Sequence, residues 1–92
     1  MTQRFRSVWD ALEDNPQDVA KMRLRAALML ALQKHLRDHK FTQSDAAMLF
    51  GVSQPRVSDL MRGKIDLFSV DMLANMAAKA KLDIRIQVRE TA

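Results

Sequence analysis

Between Ser53 and Gly63 the chain carries Gln54, Arg56, Ser58 and Arg62, side chains suited to hydrogen-bonding the edges of bases. Glutamine pairs through two bonds with adenine, arginine does the same with guanine, and a serine hydroxyl is less selective. The residues between them follow a helical period. Val57, Leu60 and Met61 stand at i, i+3 and i+4 and form the side that faces a core. Gln54, Pro55, Ser58, Asp59 and Arg62 point largely the other way, with Arg56 at the edge. A solvated helical hairpin has the same two-sided character. The choice between the two readings rests on how the flanking residues present this helix.

Those flanks agree in register. Gln43 to Phe50 reads as a first short helix, Gly51-Val52-Ser53 as a tight break, and Gln54 to Arg62 as a second helix that stops at Gly63. Thr42 is placed to cap the first helix, with Asp45 three residues on as in a capping box. Ala46 and Ala47 are small enough for a second helix to cross closely. Gly51 falls where the chain leaves the helix with positive φ, which glycine adopts cheaply. Ser53 caps the next helix, and Pro55 sits in its first turn, where a missing N–H breaks no internal bond. Val52 and Val57 bracket that cap as a hydrophobic staple. The pattern over 43–62 is a helix-turn-helix, in which the second helix enters the major groove of DNA and its first residues reach base edges.

The rest of the chain must seat this pair. Residues 1–6, with Arg4 and Arg6, read as a loose basic arm, and Ser7 caps a short helix whose apolar side is Val8, Trp9 and Leu12. Asn15-Pro16 ends it and opens a long helix to about His39, with Asn15 as cap and Pro16 at the first helical position. The centre of that helix, AALMLAL over 26–32, is apolar on every side. It is too short to span a membrane and so needs cover on more than one side. The helix-turn-helix covers one side; the Trp9 helix or a second subunit covers the other. After Gly63, the connection Lys64-Ile-Asp-Leu-Phe68 is apolar enough for Ile65, Leu67 and Phe68 to fold back onto the core. Ser69 caps a last helix, with Phe68 and Leu73 as its staple and Val70, Leu73, Met76, Ala77 and Ala80 as its buried stripe. The seven methionines read mainly as adaptable core fillers.

The period then changes. Leu82, Ile84, Ile86 and Val88 alternate with Asp83, Arg85, Gln87 and Arg89, the pattern of a half-buried strand. No second strand is evident, and a lone strand leaves its ladder groups unpaired. The same strand of a second copy, antiparallel about a two-fold axis, is the simplest partner; a sheet in another protein is the alternative. Two-fold symmetry suits a palindromic site, with recognition helices about 34 Å apart. The organisation expected is an arm and short helix over 1–15, a DNA-binding domain over 16–81 and a dimerisation strand over 82–90.

Composition narrows the function classes. With 92 residues the chain fits one small domain. Net charge is +4, a mild footprint for nucleic acid. The few aromatics, Phe5, Trp9, Phe41, Phe50 and Phe68, argue against single-strand binding by stacking. There is no cysteine, which rules out disulfides and thiolate metal sites and suits a reducing cytoplasm. The start, MTQRFRSVWDALEDN, lacks the apolar core of a secretory signal. His35 and His39 share a helix face, but HLRDH lacks a zincin's glutamate and any evident third ligand, so they read as surface histidines with no metal. Two glycines, no tyrosine and no paired His–carboxylate site speak against an enzyme. No cofactor is expected.

The run GVSQPRVSDLMRGKIDLFSVDMLANMA, with the FRSVWDAL start, the long helix and the LDIRIQV tail, resembles Xre/Cro-type (lambda-repressor-like) DNA-binding proteins. More narrowly it is similar to the small HigA-like antitoxins of bacterial toxin–antitoxin modules. The resemblance implies a mainly α fold: a lambda-repressor-like five-helix domain with one C-terminal β-strand paired across a dimer. It also implies a nucleoid-associated bacterial autorepressor that binds its operator as a homodimer and neutralises a RelE-like toxin. That toxin would be held by folded surface or by the N-terminal segment. Base reading would fall to Gln54, Pro55, Arg56 and Ser58. Pro55 replaces a polar residue common at its position, leaving a contact with a thymine methyl. Phosphate contact would fall to Gln43, Ser53, Arg62 and Lys64. The rival class is a protein-interaction module that mainly blocks a toxin, with DNA binding secondary.

Overall fold

A computed structural model describes residues 16–90. The expected arm and the Ser7 helix lie outside the described residues. Within them, four α-helices follow one another: α1 (Pro16–His39), α2 (Gln43–Phe50), α3 (Gln54–Met61) and α4 (Val70–Lys79), with a single 3-10 turn at Ile65–Leu67 between α3 and α4. The five-helix count expected from the sequence is therefore four among the described residues.

Helix α1 forms the backbone of the fold, packing against α4, α3 and the 3-10 turn, while α2 packs against α3 and α4. The core draws Leu28, Met29, Leu32 and Leu36 from α1, Ala46, Ala47 and Phe50 from α2, and Val57 and Leu60 from α3; Phe68, Leu73, Met76 and Ala77 complete it. Apolar burial of this kind stabilises by roughly 25 cal/mol per Å² removed from water, so the six large side chains that are almost fully buried, Phe50, Phe68, Leu32, Leu60, Leu73 and Val57, anchor the helices. The 26–32 stretch behaves unevenly. Leu28, Met29 and Leu32 are buried, whereas Leu30 is 62% exposed, so one flank of α1 stays open.

Local chemistry sets the boundaries. Ser69 Oγ accepts from the Met72 amide at 3.0 Å and starts α4. Helices α1 and α4 end on lysines in left-handed conformation, Lys40 (φ 56°) and Lys81 (φ 60°). There the Phe41 amide reaches back to Leu36 and the Leu82 amide to Ala77, closing orphan carbonyls as a glycine C-cap would. In the connection after α3, Phe68 is buried but Leu67 is 47% exposed. The 3-10 turn has one inward position for every three residues, and Phe68 takes the core site that Leu67 was expected to share.

The tail corrects a second expectation. Residues 82–90 form no strand among the described residues. Leu82 is half-buried, but Ile84, Ile86 and Val88 are 40%, 65% and 87% exposed. A strand exists only through a ladder partner, and no other described segment of this chain supplies one.

Candidate nucleic-acid interface

The turn between α2 and α3 forms as its residues dictate. Thr42 Oγ1 accepts from the Asp45 amide at 3.0 Å. Gly51 adopts φ 69°, ψ 37° and donates its N–H to Ala47, and Val52 donates to the same carbonyl at 3.0 Å. A left-handed residue here costs a side-chain-bearing amino acid about 1–2 kcal/mol. A Cβ on Gly51 would also lie 2.6 Å from Lys79 Nζ of α4, the far end of an exposed side chain that can swing aside at little cost. Ala46 and Ala47 are buried at the crossing. Ser53 Oγ accepts from the Arg56 amide at 3.2 Å. At the far end Gly63, at φ 73°, donates to Leu60, and Lys64 donates to Asp59.

Helix α3 is held by Val57 and Leu60, both essentially inaccessible. Successive residues are about 100° apart around the axis. The side opposite the core is therefore centred on Pro55, Asp59 and Arg62, with Ser58 beside them, Gln54 on one edge and Arg56 on the other. Gln54, Pro55 and Arg62 are exposed, and Ser58 and Asp59 are half-buried. Of the residues expected at bases, Gln54, Pro55 and Ser58 are thus brought to one surface.

Arg56 is set apart. Its Nη1 donates to the Leu67 carbonyl at 3.2 Å, and its guanidinium lies 5.4 Å from the Phe68 ring centroid. It ties α3 to the 3-10 turn. Its partners lie eleven and twelve residues downstream, a contact no local pattern reveals.

The residues expected at phosphates flank this face. Gln43 is exposed at the start of α2, Ser53 is exposed at the start of α3, and Arg62 and Lys64 are exposed at the end of α3. Lys64 Nζ lies 3.9 Å from Asp59 Oδ1. Sequence reasoning did not place Arg37 or Lys40 at the interface. They line a shallow depression with Thr42, Gln43, Val57 and Met61, which puts two more cations beside the amino end of α2. The signal available was their place in the turn just before Thr42. Between them, Asp38 is held below the ordinary carboxylate range, first by the hydrogen bond from Lys34, so that acid stays ionised and paired.

A further residue escaped notice. Gln33 is buried on α1, and its Nε2 donates to the Leu60 carbonyl at 2.7 Å, fixing the carboxyl end of α3 from behind. The signal was register: Gln33 follows Met29 by four and precedes Leu36 by three, on the buried stripe. A polar side chain there must find a partner. His35 and His39 form a tilted ring pair with centroids 4.3 Å apart, and His39 stacks on Phe41. Among the described residues no group of three or more His, Cys, Asp or Glu is placed to hold a metal ion.

A family profile described as a helix-turn-helix domain matches residues 11–89. A solved structure that carries the provisional name XRE family transcriptional regulator is 28% identical, with a TM-score of 0.71 over 80% of this chain and 83% of the other. No curated protein matches the chain.

Proposed function

The chain belongs to the helix-turn-helix domain family and is a DNA-binding transcriptional regulator; from that premise we propose that it is a sequence-specific repressor, active as a homodimer on a palindromic operator. The observation that carries this reading is the surface of α3. Gln54, Pro55 and Ser58 share a solvent-facing side with Arg62, and Arg37, Lys40, Gln43 and Lys64 stand near it. Phosphate contacts from the flanks and from Ser53 supply register and most of the affinity. Gln54 and Ser58 hydrogen-bond base edges, and Pro55 meets a thymine methyl. The helical family and the binding surface favour a non-catalytic role. No helix among the described residues is long and apolar enough to cross a membrane, and the proposed place of action is the nucleoid in the cytoplasm.

The dimer forms through Leu82, Ile84, Ile86 and Val88, whose apolar side chains need cover. The narrower role is that of a HigA-like antitoxin with a RelE-like toxin as second partner. An open apolar groove lined by Met22, Ala26, Met29, Leu30 and Ile65 favours it, because such a groove suits a protein partner. The test is a gel shift on the DNA upstream of the gene, with and without the neighbouring gene product. Retardation of that DNA but not of a scrambled duplex supports the repressor. Equal retardation of both refutes sequence-specific reading. Failure of the neighbour to co-purify refutes the antitoxin role alone.

A further inference from the structure

Resting on the dimeric reading above, we propose that residues 82–90 of two copies pair as an antiparallel ribbon in one defined register, with the two-fold axis passing between Ile86 and the partner's Ile86. The tail runs back along α1. Near its start it shares an apolar cleft with Leu24, Leu28 and Leu32, and further on a wider one with Val19, Ala20 and Leu24. Its apolar side grows more exposed along its length, from 40% at Ile84 to 87% at Val88. No described segment of its own chain pairs with it. A second tail beside the first supplies the missing ladder and widens one-sided cover over both α1 helices.

Alternation and charge select the register. In an antiparallel pair, directly opposed residues point to the same side. An axis falling between residues would set apolar against polar side chains throughout, so the axis passes through a residue pair. At Arg85 it opposes two copies of that arginine. At Gln87 it opposes Arg85 with the partner's Arg89. Both place like charges face to face, which destabilises. At Ile84 it leaves residues 87–90 without a partner and Val88 uncovered. At Ile86 the whole of 82–90 is used, with Leu82 against the partner's Glu90 as the one mismatched pair, at the ends of the ribbon. Ile84 then opposes the partner's Val88, Arg85 opposes the partner's Gln87, and Asp83 opposes the partner's Arg89, each twice by symmetry. Asp83 Oδ2 already accepts from Arg85 Nε at 2.7 Å within the chain, so its carboxylate stands on the polar side of the tail, where the opposing arginine arrives.

Single-cysteine variants of the full chain test this, because the chain has no cysteine of its own. Opposed Cβ atoms lie about 4.5–5.5 Å apart, whereas residue 84 and the partner's residue 84 would be separated by about 13 Å along the ribbon. Under mild oxidation Ile86→Cys is expected to cross-link to itself fastest. Ile84→Cys and Val88→Cys should each cross-link slowly alone but rapidly when mixed. Asp83→Arg should weaken dimerisation by about tenfold, and adding Arg89→Asp should restore it. Fastest self-linking by Ile84→Cys overturns the register while leaving the strand dimer intact. A dimer by sedimentation in which no variant links faster than an Asn75→Cys control moves the interface elsewhere and overturns the inference. A monomer at all concentrations overturns both the inference and the dimeric reading beneath it.

Discussion

Replacing Gln33 by leucine removes a buried side-chain hydrogen bond that joins α1 to the recognition helix, from Gln33 Nε2 to the Leu60 carbonyl at 2.7 Å. The size of the effect depends on what that carbonyl keeps. It also accepts from the Gly63 amide at 3.0 Å, so it keeps a backbone partner and is not orphaned. The cost is therefore that of a single net hydrogen bond, about 1 kcal/mol, and not the 1–3 kcal/mol of a stranded buried group. Leucine nearly matches glutamine in volume, so little cavity penalty is added. Alanine at the same position also forfeits buried methylenes and should cost about 2–3 kcal/mol. For a domain of this length, 1 kcal/mol lowers Tm by about 4–8 °C. Circular dichroism melts at one fixed protein concentration check this, since dimerisation makes Tm concentration-dependent. Cognate DNA affinity, measured well below the melt, should fall by no more than about fivefold, because the coupling cannot exceed the bond's own worth. A Gln33→Leu protein that melts at or above the wild-type temperature would refute the reasoning, since the bond would then be replaceable by packing alone.

Other substitutions probe the proposed face. Gln54→Ala should cost about 1–3 kcal/mol on the cognate site and relax the preference at one base position; in competition gel shifts, an equal loss on unrelated duplexes would remove it from base reading. Arg56→Ala should destabilise folding by about 1–2 kcal/mol through the lost bond to Leu67 and the lost contact with Phe68, read in urea unfolding, with cognate and non-cognate affinities changing together; a selective loss on the cognate site would make it a base reader after all. Gly51→Ala should cost about 1–2 kcal/mol from its left-handed backbone, again read in urea, and a neutral result would show that the turn relaxes. Asp59→Asn removes a carboxylate from the centre of the face, and binding to non-specific duplex should rise about two- to fivefold at low salt and converge with wild type as salt increases; unchanged binding at low salt would place Asp59 away from the duplex.

The starts of α2, α3 and α4 were legible because each carries its own capping chemistry. Thr42, Ser53 and Ser69 cap as their types and positions predict, and Gly51 turns left-handed where the first short helix must end. These are signals within a few residues, and local sequence holds them in full. What it missed is long-range. The partner of Arg56 is Leu67, and that of Gln33 is Leu60, 27 residues away; neither separation leaves a periodic trace. The tail shows the opposite failure. Its alternation is plain in the sequence, yet alternation states only which faces differ. A strand is a property of two segments, and the second is not among the described residues of this chain.

The two edges of α3 do different work, and that asymmetry follows from what each can touch. Arg56 turns toward Leu67 and Phe68, so its edge is closed by the protein's own 3-10 turn. Gln54 occupies the other edge, with no bulky element between it and solvent. A helix held along one edge and free along the other has a fixed roll about its axis, and fixed roll is what lets a two-bond amide contact discriminate among bases. Charge argues in the same direction. Asp59 stands at the centre of the free face, only 3.9 Å from Lys64, where a binder relying on phosphate attraction alone would gain from a cation. A carboxylate there weakens indiscriminate binding, and a base donor such as a cytosine amino group is the partner it can accept from. On the proposed reading, affinity therefore comes from Arg37, Lys40, Arg62 and Lys64 at the rim. Selectivity comes from a centre that is neutral or acidic, and Arg56 contributes by keeping that centre pointed outward.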